Sequence, residues 1–240
     1  MEELAIKLSN WIESKVTSAK AKGAVIGLSG GIDSAVVAVL CKKVFSLNTL
    51  TLIMPCHSLN KDIEDAVMVA NKFDITYKII DLSRIYDSFV SLLDHEEDGV
   101  NSKLAKANLK PRMRMITLYY FANQLNYLVV GTGNKSEITM GYFTKYGDGG
   151  VDILPLGNLL KSEVVELAKY LKIPLEIIQK PPSGGLWEGQ TDEGEMGVSY
   201  QEIDEYLKAG RLNDRAIEKK IQEMITRSAH KRSTPEIPTF

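Results

Sequence analysis

The chain has 240 residues, of which 44% are hydrophobic and 25% are charged. This length and composition predict one globular domain over residues 1–240, with a core of substantial size. Because 29 basic and 31 acidic residues leave a formal net charge of −2, no overall electrostatic field favours a nucleic-acid partner. Any site for an anion must therefore be local.

The sequence suggests neither a cross-linked nor a membrane protein. Cys41 and Cys56 are its two cysteines, and their spacing suits neither a disulfide framework nor a zinc site. The N-terminal residues mix charged and apolar types, unlike a signal or transit peptide. No stretch approaches the roughly 20 apolar residues that span a bilayer. We therefore expect a cytoplasmic location and no membrane partner.

The first predicted elements are a helix, a strand and a second helix. Apolar residues at helical spacing predict an amphipathic helix over residues 2–21. A short apolar strand follows over 24–28, then a glycine turn, then a buried helix over 33–45. The stripe of the first helix consists of Leu4, Leu8, Trp11, Ile12 and Val16.

The glycine turn, residues 27–34, has the sequence GLSGGIDS and leads directly into the second helix. Its glycines leave backbone N–H groups free to face an anion, and the helix N-terminus adds a favourable dipole. Ser29 and Ser34 can donate to phosphate oxygens, and Asp33 supplies a hard carboxylate for Mg²⁺. The residues expected to surround a bound phosphate group are Gly27, Leu28, Ser29, Gly30, Gly31, Ile32, Asp33 and Ser34.

This turn differs from other phosphate loops, because it lacks both the GK[ST] ending of a Walker A loop and the GxGxxG pattern. The run SGGIDS resembles the PP-loop group of adenylating enzymes, in which the loop holds the pyrophosphate that leaves. The plainer alternative is a helix capped by one Ser or Asp after a glycine turn.

Further strand and helix pairs follow in chain order. Strands rich in Val, Ile and Leu, separated by helices, predict a doubly wound, mainly parallel α/β sheet with helices on both faces. Ligands are then expected at the carboxyl ends of the strands. The predicted pairs are strand 49–54 with helix 61–73, strand 75–80 with helix 82–93, and helix 105–125 with strand 127–130.

Two polar stretches, 94–102 and 180–197, interrupt this pattern and predict mobile loops. Beyond them, apolar spacing predicts a helix over 161–171 and two shorter helices within 200–228. The chain closes with a basic tail that begins at His230.

The most specific run is 131–161, GTGNKSEITMGYFTKYGDGGVDILPLGNLLK. It is similar to the NAD synthetase family over nearly its whole length, and a looser resemblance covers most of residues 20–235. The phosphate loop alone leaves GMP synthetase, asparagine synthetase and tRNA thiolases open, whereas GYFTKYGDGG favours the NAD synthetase family. The run departs from many family members after Thr132, where they carry Asp-His-Ala-Ala.

The resemblance implies roles for individual residues. Thr132, Lys161 and Ser183 match residues that contact ATP, and a lysine at this place would offset charge on the leaving pyrophosphate. Glu137 matches the glutamate that binds Mg²⁺ together with Asp33, so catalytic roles are expected for Asp33, Glu137 and Lys161. The residues that match deamido-NAD contacts are Arg112, in a segment that opens a long helix, Lys145, Asp152, His230 and Lys231.

Each of these positions also has a plainer interpretation. Lys161 could be a solvated lysine at a helix N-terminus, Arg112 could lie on a solvated helix face, and the basic tail could bind no ligand. The aromatic residues that could either stack on a nicotinate ring or pack in the core are Tyr142, Phe143 and Tyr146. No role follows from the sequence for His57, His95, Arg114, Asn134 or Lys135.

The resemblance also implies a reaction. With Mg²⁺, ATP would adenylylate the nicotinate carboxylate of deamido-NAD, because oxide cannot leave a carboxylate, and ammonia would then displace AMP to form NAD. No covalent nucleophile and no proton-accepting base can be identified, so positioning and electrostatics should dominate. The chain is too short for an added glutaminase domain, which leaves ammonia as the direct donor; a separate glutaminase subunit stays open.

Two other functions compete with this reading. One is a different PP-loop ligase or a tRNA-modifying enzyme, although the chain lacks the basic patches and reactive cysteines that tRNA enzymes usually carry. The other is an inactive adenine-nucleotide sensor, which should have lost Asp33 or Glu137. The family further implies small-molecule substrates and a homodimer.

Overall fold

A four-stranded parallel sheet lies at the centre of the molecule, with strand order β3-β2-β1-β4. The computed structural model describes residues 1–93, 102–187 and 189–239, so most of the predicted loop 94–102, with His95, lies outside the described residues. The predicted doubly wound parallel α/β fold is confirmed. The strands are β1 (Gly23–Gly27), β2 (Thr49–Ile53), β3 (Thr76–Ile79) and β4 (Tyr127–Val129).

Helices connect the strands and cover the sheet. The predicted helices are present with ends that differ by at most three residues. The segment of Arg112, which was predicted to open a long helix, lies inside that helix instead. The helices are α1 (Glu2–Ser18), α2 (Ile32–Phe45), α3 (Asn60–Lys72), α4 (Ser83–Leu93), α5 (Ser102–Leu125), α6 (Lys135–Met140), α7 (Lys161–Tyr170), α8 (Leu175–Ile178), α9 (Asp192–Met196), α10 (Tyr200–Ala209) and α11 (Arg215–Arg227).

Three short helices, α6, α8 and α9, were not predicted, because elements of four to six residues are too short to show helical periodicity. Helix α9 lies within the stretch 180–197 that was predicted to be a loop. Thr191 begins it by accepting a hydrogen bond from the backbone N–H of Gly194 at 3.2 Å, a standard N-cap contact.

The two faces of the sheet bury separate cores. Along β1, Ala24 and Ile26 belong to a core covered by α1, α2, α3 and α7, whereas Val25 belongs to a core covered mainly by α5. This alternation follows from the two-residue period of a strand. On α1, Ile12 and Val16 are buried as predicted, but Trp11 is 39% exposed, so it lies at the edge of the apolar stripe rather than within it.

The strand order creates a switch point beside β1. From β1 the chain continues to β2 on one side, and β4 later joins on the other side. In sheets of this kind, ligands bind in the crevice where the strand order reverses, at the carboxyl ends. The glycine turn 27–34 follows β1, and Gly131 and Thr132 follow β4, so both segments reach this crevice.

Among the described residues, no helix is long and apolar enough to cross a bilayer.

Candidate active site

A cavity of about 1080 Å³ opens at the carboxyl ends of β1, β2 and β4. Single ligands of drug size occupy pockets of roughly 300–1,000 Å³, so this volume suits a large ligand or two ligands together. The cavity is lined by the turn 27–34 except Gly30, by the ends of β2 and β4, by α5, and by parts of the segments 137–151, 180–196 and 224–231.

The turn 27–34 forms the floor of the cavity. Ser34 Oγ accepts a hydrogen bond from the Ser29 N–H at 3.2 Å and donates to the Gly31 carbonyl at 2.9 Å, so the turn is held by its own side chains. Helix α2 begins here without a side-chain cap, which leaves its first N–H groups available to an anion. The predicted phosphate loop therefore has the donors that it needs.

Gly30 fits this turn closely against α3. Its φ is +78°, and a Cβ placed there would lie 2.4 Å from the carbonyl oxygen of Asp62. A larger residue would face both left-handed backbone strain and a clash with another backbone segment. The path of the phosphate loop thus depends on glycine at this position.

The three residues predicted to be catalytic meet beside the loop. Lys161 Nζ lies 2.5 Å from Asp33 Oδ2 and 3.1 Å from Glu137 Oε1, although the three side chains come from α2, α6 and α7. Lys161 is only 6% exposed, so its interpretation as a solvated lysine is wrong. A buried ammonium shared by two carboxylates is well compensated.

The electrostatics of this cluster follow from burial and charge. Burial alone would lower the pKa of Lys161, but the adjacent Asp33 and Glu137 raise it above its ordinary value. Burial, together with the negative charge of Asp33, raises the pKa of Glu137 to about 7. Lys161 is therefore charged at neutral pH, and the two carboxylates are close enough to oppose each other's ionisation.

Asn134, to which the sequence assigned no role, holds two of these residues. Its Oδ1 accepts from the Glu137 N–H at 3.0 Å, and its backbone N–H donates to Glu137 Oε2 at 3.2 Å. Its Nδ2 donates to Asp33 Oδ1 at 2.9 Å. The first two bonds form a capping box, and the spacing Asn-x-x-Glu could have indicated it.

Asp204 is a second supporting residue that the sequence did not indicate. Its carboxylate accepts from Ser136 Oγ at 2.5 Å and from the Ser162 N–H at 2.9 Å. These bonds fix the first turns of α6 and α7, which carry Glu137 and Lys161. Because Asp204 lies on α10, far away in sequence, no local pattern could have revealed this contact.

The pair Asp33 and Glu137 suits a magnesium ion. Lys161 already holds a positive charge between the two carboxylates, which are the hard oxygen ligands that Mg²⁺ prefers. The described residues contain no group of three or more His, Cys, Asp or Glu placed to hold a metal. Since Mg²⁺ commonly takes one or two carboxylates and completes its shell with phosphates and water, this donor set fits a metal bound together with a nucleotide.

The other predicted ATP contacts, Thr132 and Ser183, also line the cavity. Ser183 belongs to the segment 180–187, which lines the cavity and is tied to both of its walls. Lys180 Nζ bonds Asp62 at 2.6 Å and Asp65 at 2.7 Å on α3. From the opposite wall, Lys110 on α5 donates to the Leu186 carbonyl at 2.8 Å.

The five residues predicted to contact deamido-NAD divide into two groups. His230 and Lys231 line the cavity, whereas Arg112, Lys145 and Asp152 do not. Lys145 Nζ donates to the His230 carbonyl, and Arg112 Nη2 donates to the Lys145 carbonyl at 3.4 Å. These two residues therefore form a basic rim next to the cavity wall.

Asp152 is occupied by contacts within the protein. Its Oδ2 accepts from the Val129 N–H of β4 at 2.8 Å, and its Oδ1 accepts from the Tyr119 hydroxyl at 2.9 Å. These bonds tie the segment after Gly150 to the edge strand of the sheet. These contacts give Asp152 a structural role.

The basic tail packs against the segment after α6. Lys231 Nζ donates to the carbonyls of Gly141 and Phe143, each at 2.8 Å, and Arg232 donates to the carbonyls at the end of α6. Of the predicted aromatic residues, Tyr142 and Phe143 line the cavity, whereas Tyr146 is 55% exposed and outside the lining. The unassigned residues that also line it are His57 and Arg114.

Comparison with known proteins agrees with this architecture. A family model described as NAD synthase matches residues 4–235. The NH(3)-dependent NAD(+) synthetase of Carboxydothermus hydrogenoformans is 52% identical over 99% of this chain and 97% of that protein. Among solved structures, the NMN synthetase of Francisella tularensis is 44% identical with a TM-score of 0.94, covering 100% of this chain and 98% of that one. The NH3-dependent NAD synthetase of Campylobacter jejuni, with nitrate bound, is 35% identical with a TM-score of 0.83, covering 99% of both chains.

Proposed function

The chain belongs to the NAD synthase family, and we propose that it catalyses the ATP-dependent amidation of deamido-NAD to NAD with ammonia as the nitrogen donor. The observation that carries this proposal is the meeting of Asp33, Glu137 and Lys161 at the end of the phosphate loop, inside a cavity large enough for two substrates. The proposed reaction forms a carbon–nitrogen bond and releases AMP and pyrophosphate.

The first half-reaction makes the nicotinate carboxylate reactive. Its oxygen attacks the α-phosphorus of ATP, the bond to the β-phosphate oxygen breaks, and pyrophosphate leaves with the electron pair. The free N–H groups at the start of α2 and the hydroxyl of Ser29 bind the departing phosphates. Lys161, which stays charged at neutral pH, stabilises the negative charge that develops on them.

Magnesium is part of this proposal, with Asp33 and Glu137 as its protein ligands. When bound, the ion would neutralise phosphate charge and orient the pyrophosphate as a leaving group. Asp33 and Glu137 would hold the ion together with the phosphates of ATP, and Asn134 keeps both carboxylates in position.

Product analysis tests the reaction directly. Purified protein is mixed with deamido-NAD, ATP and Mg²⁺, with ammonium or glutamine as the donor, and NAD, AMP and pyrophosphate are quantified. Equal amounts of all three products from ammonium establish the reaction. Absence of NAD from either donor would point instead to another substrate of a PP-loop enzyme.

A second candidate function is the amidation of nicotinate mononucleotide to NMN, which the high structural similarity to the Francisella tularensis protein favours. The chemistry at the carboxylate is the same, and only the part of the substrate beyond the ribose phosphate differs. A mononucleotide needs the cavity alone, whereas the second half of a dinucleotide would extend to the basic rim of Arg112 and Lys145. Competition between the two substrates, scored as NMN against NAD, decides between them.

We also propose that the protein is a cytoplasmic homodimer. Helices α4 and α5 expose several large apolar side chains, and α4 has no fully buried residue. An exposed apolar face of this kind is typical of a protein interface. Light scattering should give twice the chain mass, and Phe89→Glu should give a monomer. The exposed large apolar residues of these two helices are Ile85, Phe89, Leu92, Leu93, Leu104, Ile116, Tyr120 and Leu125.

A further inference from the structure

Arg114 is a cation on the cavity wall that no carboxylate of the described residues pairs with. It lies on α5 and lines the cavity, where its side chain is half-buried. Lys161 and Lys180, by contrast, are each held by two carboxylates. Burial lowers the pKa of Arg114, but a guanidinium stays protonated in proteins. The wall formed by α5 therefore presents a positive charge to the cavity.

The hydrogen bonds of Arg114 position its guanidinium without using all of its donors. Nε donates to the Met54 carbonyl at 3.1 Å, and Nη2 donates to Ser58 Oγ at 3.4 Å. Nη1 makes no hydrogen bond to any residue in the described part of the chain. Since the planar fork of an arginine matches the oxygens of a phosphate group, the remaining donors suit a phosphate in the cavity.

Arg114 lies about one helical turn from the start of the phosphate loop. Leu118 follows it by four residues on the same face of α5, and a Cβ built on Gly27 would lie 3.7 Å from Leu118 Cδ1 and 3.5 Å from Met54 Cε. Because α5 leads into β4, it runs antiparallel to the strands. Arg114 is therefore about 5.4 Å closer to the carboxyl ends of the strands than Leu118, just above Gly27.

Arg114 and Lys161 approach the phosphate loop from opposite sides. Arg114 contacts Met54, which follows β2, whereas Lys161 contacts Glu137 on α6, which follows β4. Strands β2 and β4 flank β1, so the loop after β1 lies between the two cations. A nucleotide whose pyrophosphate lies on this loop has one further phosphate beside it.

We infer that Arg114 binds the α-phosphate of ATP, the group that passes to the nicotinate carboxylate and later leaves as AMP. This inference rests on the proposed amidation. The turn 27–34 and Lys161 take the two phosphates that leave as pyrophosphate, so the α-phosphate is the anion that borders the loop and still needs a cation. Arg114 supplies that cation and the N–H donors for its oxygens.

This contact serves both halves of the reaction. In the first, the nicotinate oxygen bonds to the α-phosphorus while the bond to the β-phosphate oxygen breaks, and the guanidinium offsets the repulsion between two negative groups. In the second, the ammonia nitrogen bonds to the carbonyl carbon and loses a proton to solvent, and the carbon–oxygen bond to AMP breaks with its electron pair on the phosphate. Arg114 then stabilises the charge that AMP gains.

The test compares three ligands by calorimetric titration with Mg²⁺ present: AMP, adenosine and pyrophosphate. AMP and adenosine differ only in the α-phosphate, so the ratio of their affinities reports the contact to that group, whereas pyrophosphate reports the phosphate loop. The variants are Arg114→Met, Arg114→Lys and Arg211→Met. Arg211 is exposed and does not line the cavity, so its replacement removes the same charge elsewhere and serves as the control.

We expect Arg114→Met to weaken AMP binding by about tenfold to a hundredfold, as for loss of hydrogen bonds to a charged group. Binding of adenosine and of pyrophosphate should stay within about twofold of wild type, which also reports an intact fold. Arg114→Lys keeps the charge without the fork and should lie between wild type and Arg114→Met. Exchange of labelled pyrophosphate into ATP, measured with deamido-NAD, should fall together with AMP binding. Arg211→Met should match wild type throughout.

An unchanged ratio of AMP to adenosine affinity in Arg114→Met would overturn the inference. Equal losses for AMP and pyrophosphate would also overturn it, because Arg114 would then support the phosphate loop itself. If Arg114→Met does not fold, the same ratio in Arg114→Lys decides. A wild-type protein that prefers AMP to adenosine but forms no NAD would instead contradict the proposed amidation and leave the phosphate contact of Arg114 standing.

Discussion

Lys161 Nζ lies 2.5 Å from Asp33 Oδ2, although the two residues are 128 positions apart in the chain. Asp33 lies where the phosphate loop continues into α2, and Lys161 is the first residue of α7. The contact therefore joins two segments that are distant in the chain. Glu137 completes the cluster at 3.1 Å from the same Nζ. The first prediction concerns this cluster.

Replacement of either carboxylate, by Asp33→Ala or Glu137→Ala, should lower the rate of NAD formation by about a hundredfold or more, since each removes a charge beside the transferring phosphate. The fold should persist, because Lys161 keeps one carboxylate partner in each variant. Turnover assays and thermal melts check this, with the exposed Glu205→Ala on α10 as a control. Full activity in either variant would remove its assigned role.

Lys145→Ala should raise the KM for deamido-NAD by about tenfold, as expected for loss of one charged hydrogen bond, and should leave the KM for ATP nearly unchanged. The reason is that Lys145 lies on the basic rim outside the cavity lining, where the second half of a dinucleotide would extend. Steady-state kinetics with nicotinate mononucleotide should show little change. Lys208→Ala, an exposed lysine on α10, is the matched control, and equal effects on both KM values would argue against this role.

Lys180→Met should loosen the segment over the cavity, because Lys180 ties it to Asp62 and Asp65. We expect faster proteolysis within 181–187 and a loss of about 1 to 3 kcal/mol in the free energy of unfolding, since the buried Asp65 keeps only Lys61. Limited proteolysis and urea unfolding measure the two effects. Lys180→Arg should retain most of the protection.

The stability difference between wild type and Lys180→Met should also depend on pH. Burial by itself would raise the pKa of Asp65, but hydrogen bonds from Lys180 and Lys61 lower it below the ordinary value. A lowered carboxyl pKa contributes stability that is complete above the unfolded pKa of about 3.9. It is lost as the pH falls through the folded pKa. The difference should therefore be constant near neutral pH and shrink in acid, and a difference that grows in acid would contradict the assigned contact.

Gly30→Ala should weaken ATP binding by at least about tenfold, or 1.4 kcal/mol, because its new Cβ would meet the carbonyl oxygen of Asp62 at 2.4 Å and displace the phosphate loop. Gly210 is the matched control: it also has a left-handed φ, +73°, but no atom lies within 4 Å of a built Cβ. Gly210→Ala should cost only backbone strain of about 1 to 2 kcal/mol and leave ATP binding intact. Calorimetric titration with ATP compares the two.

Much of this protein could be predicted from local patterns. The phosphate loop is contiguous in sequence, so its glycines, its hydroxyls and Asp33 could be identified together. Continuous runs of Val, Ile and Leu separated by helices predict the parallel sheet. The short helices α6 and α9 escaped prediction because they are shorter than two turns, although the capping spacing of Asn134 and Glu137 was present.

By itself, the sequence determined the fold class, the phosphate loop and the family resemblance, because each depends on neighbouring residues or on a contiguous run. Only the tertiary structure decided which charged residues are buried and which residues they contact. Lys161 could have been a solvated helix residue, but Asp33 and Glu137 enclose it. Asp152 could have faced a ligand, but it accepts a hydrogen bond from β4. Burial and long-range pairing arise from packing between distant segments, and the energetic cost of leaving a charge unpaired exists only once that packing has excluded water.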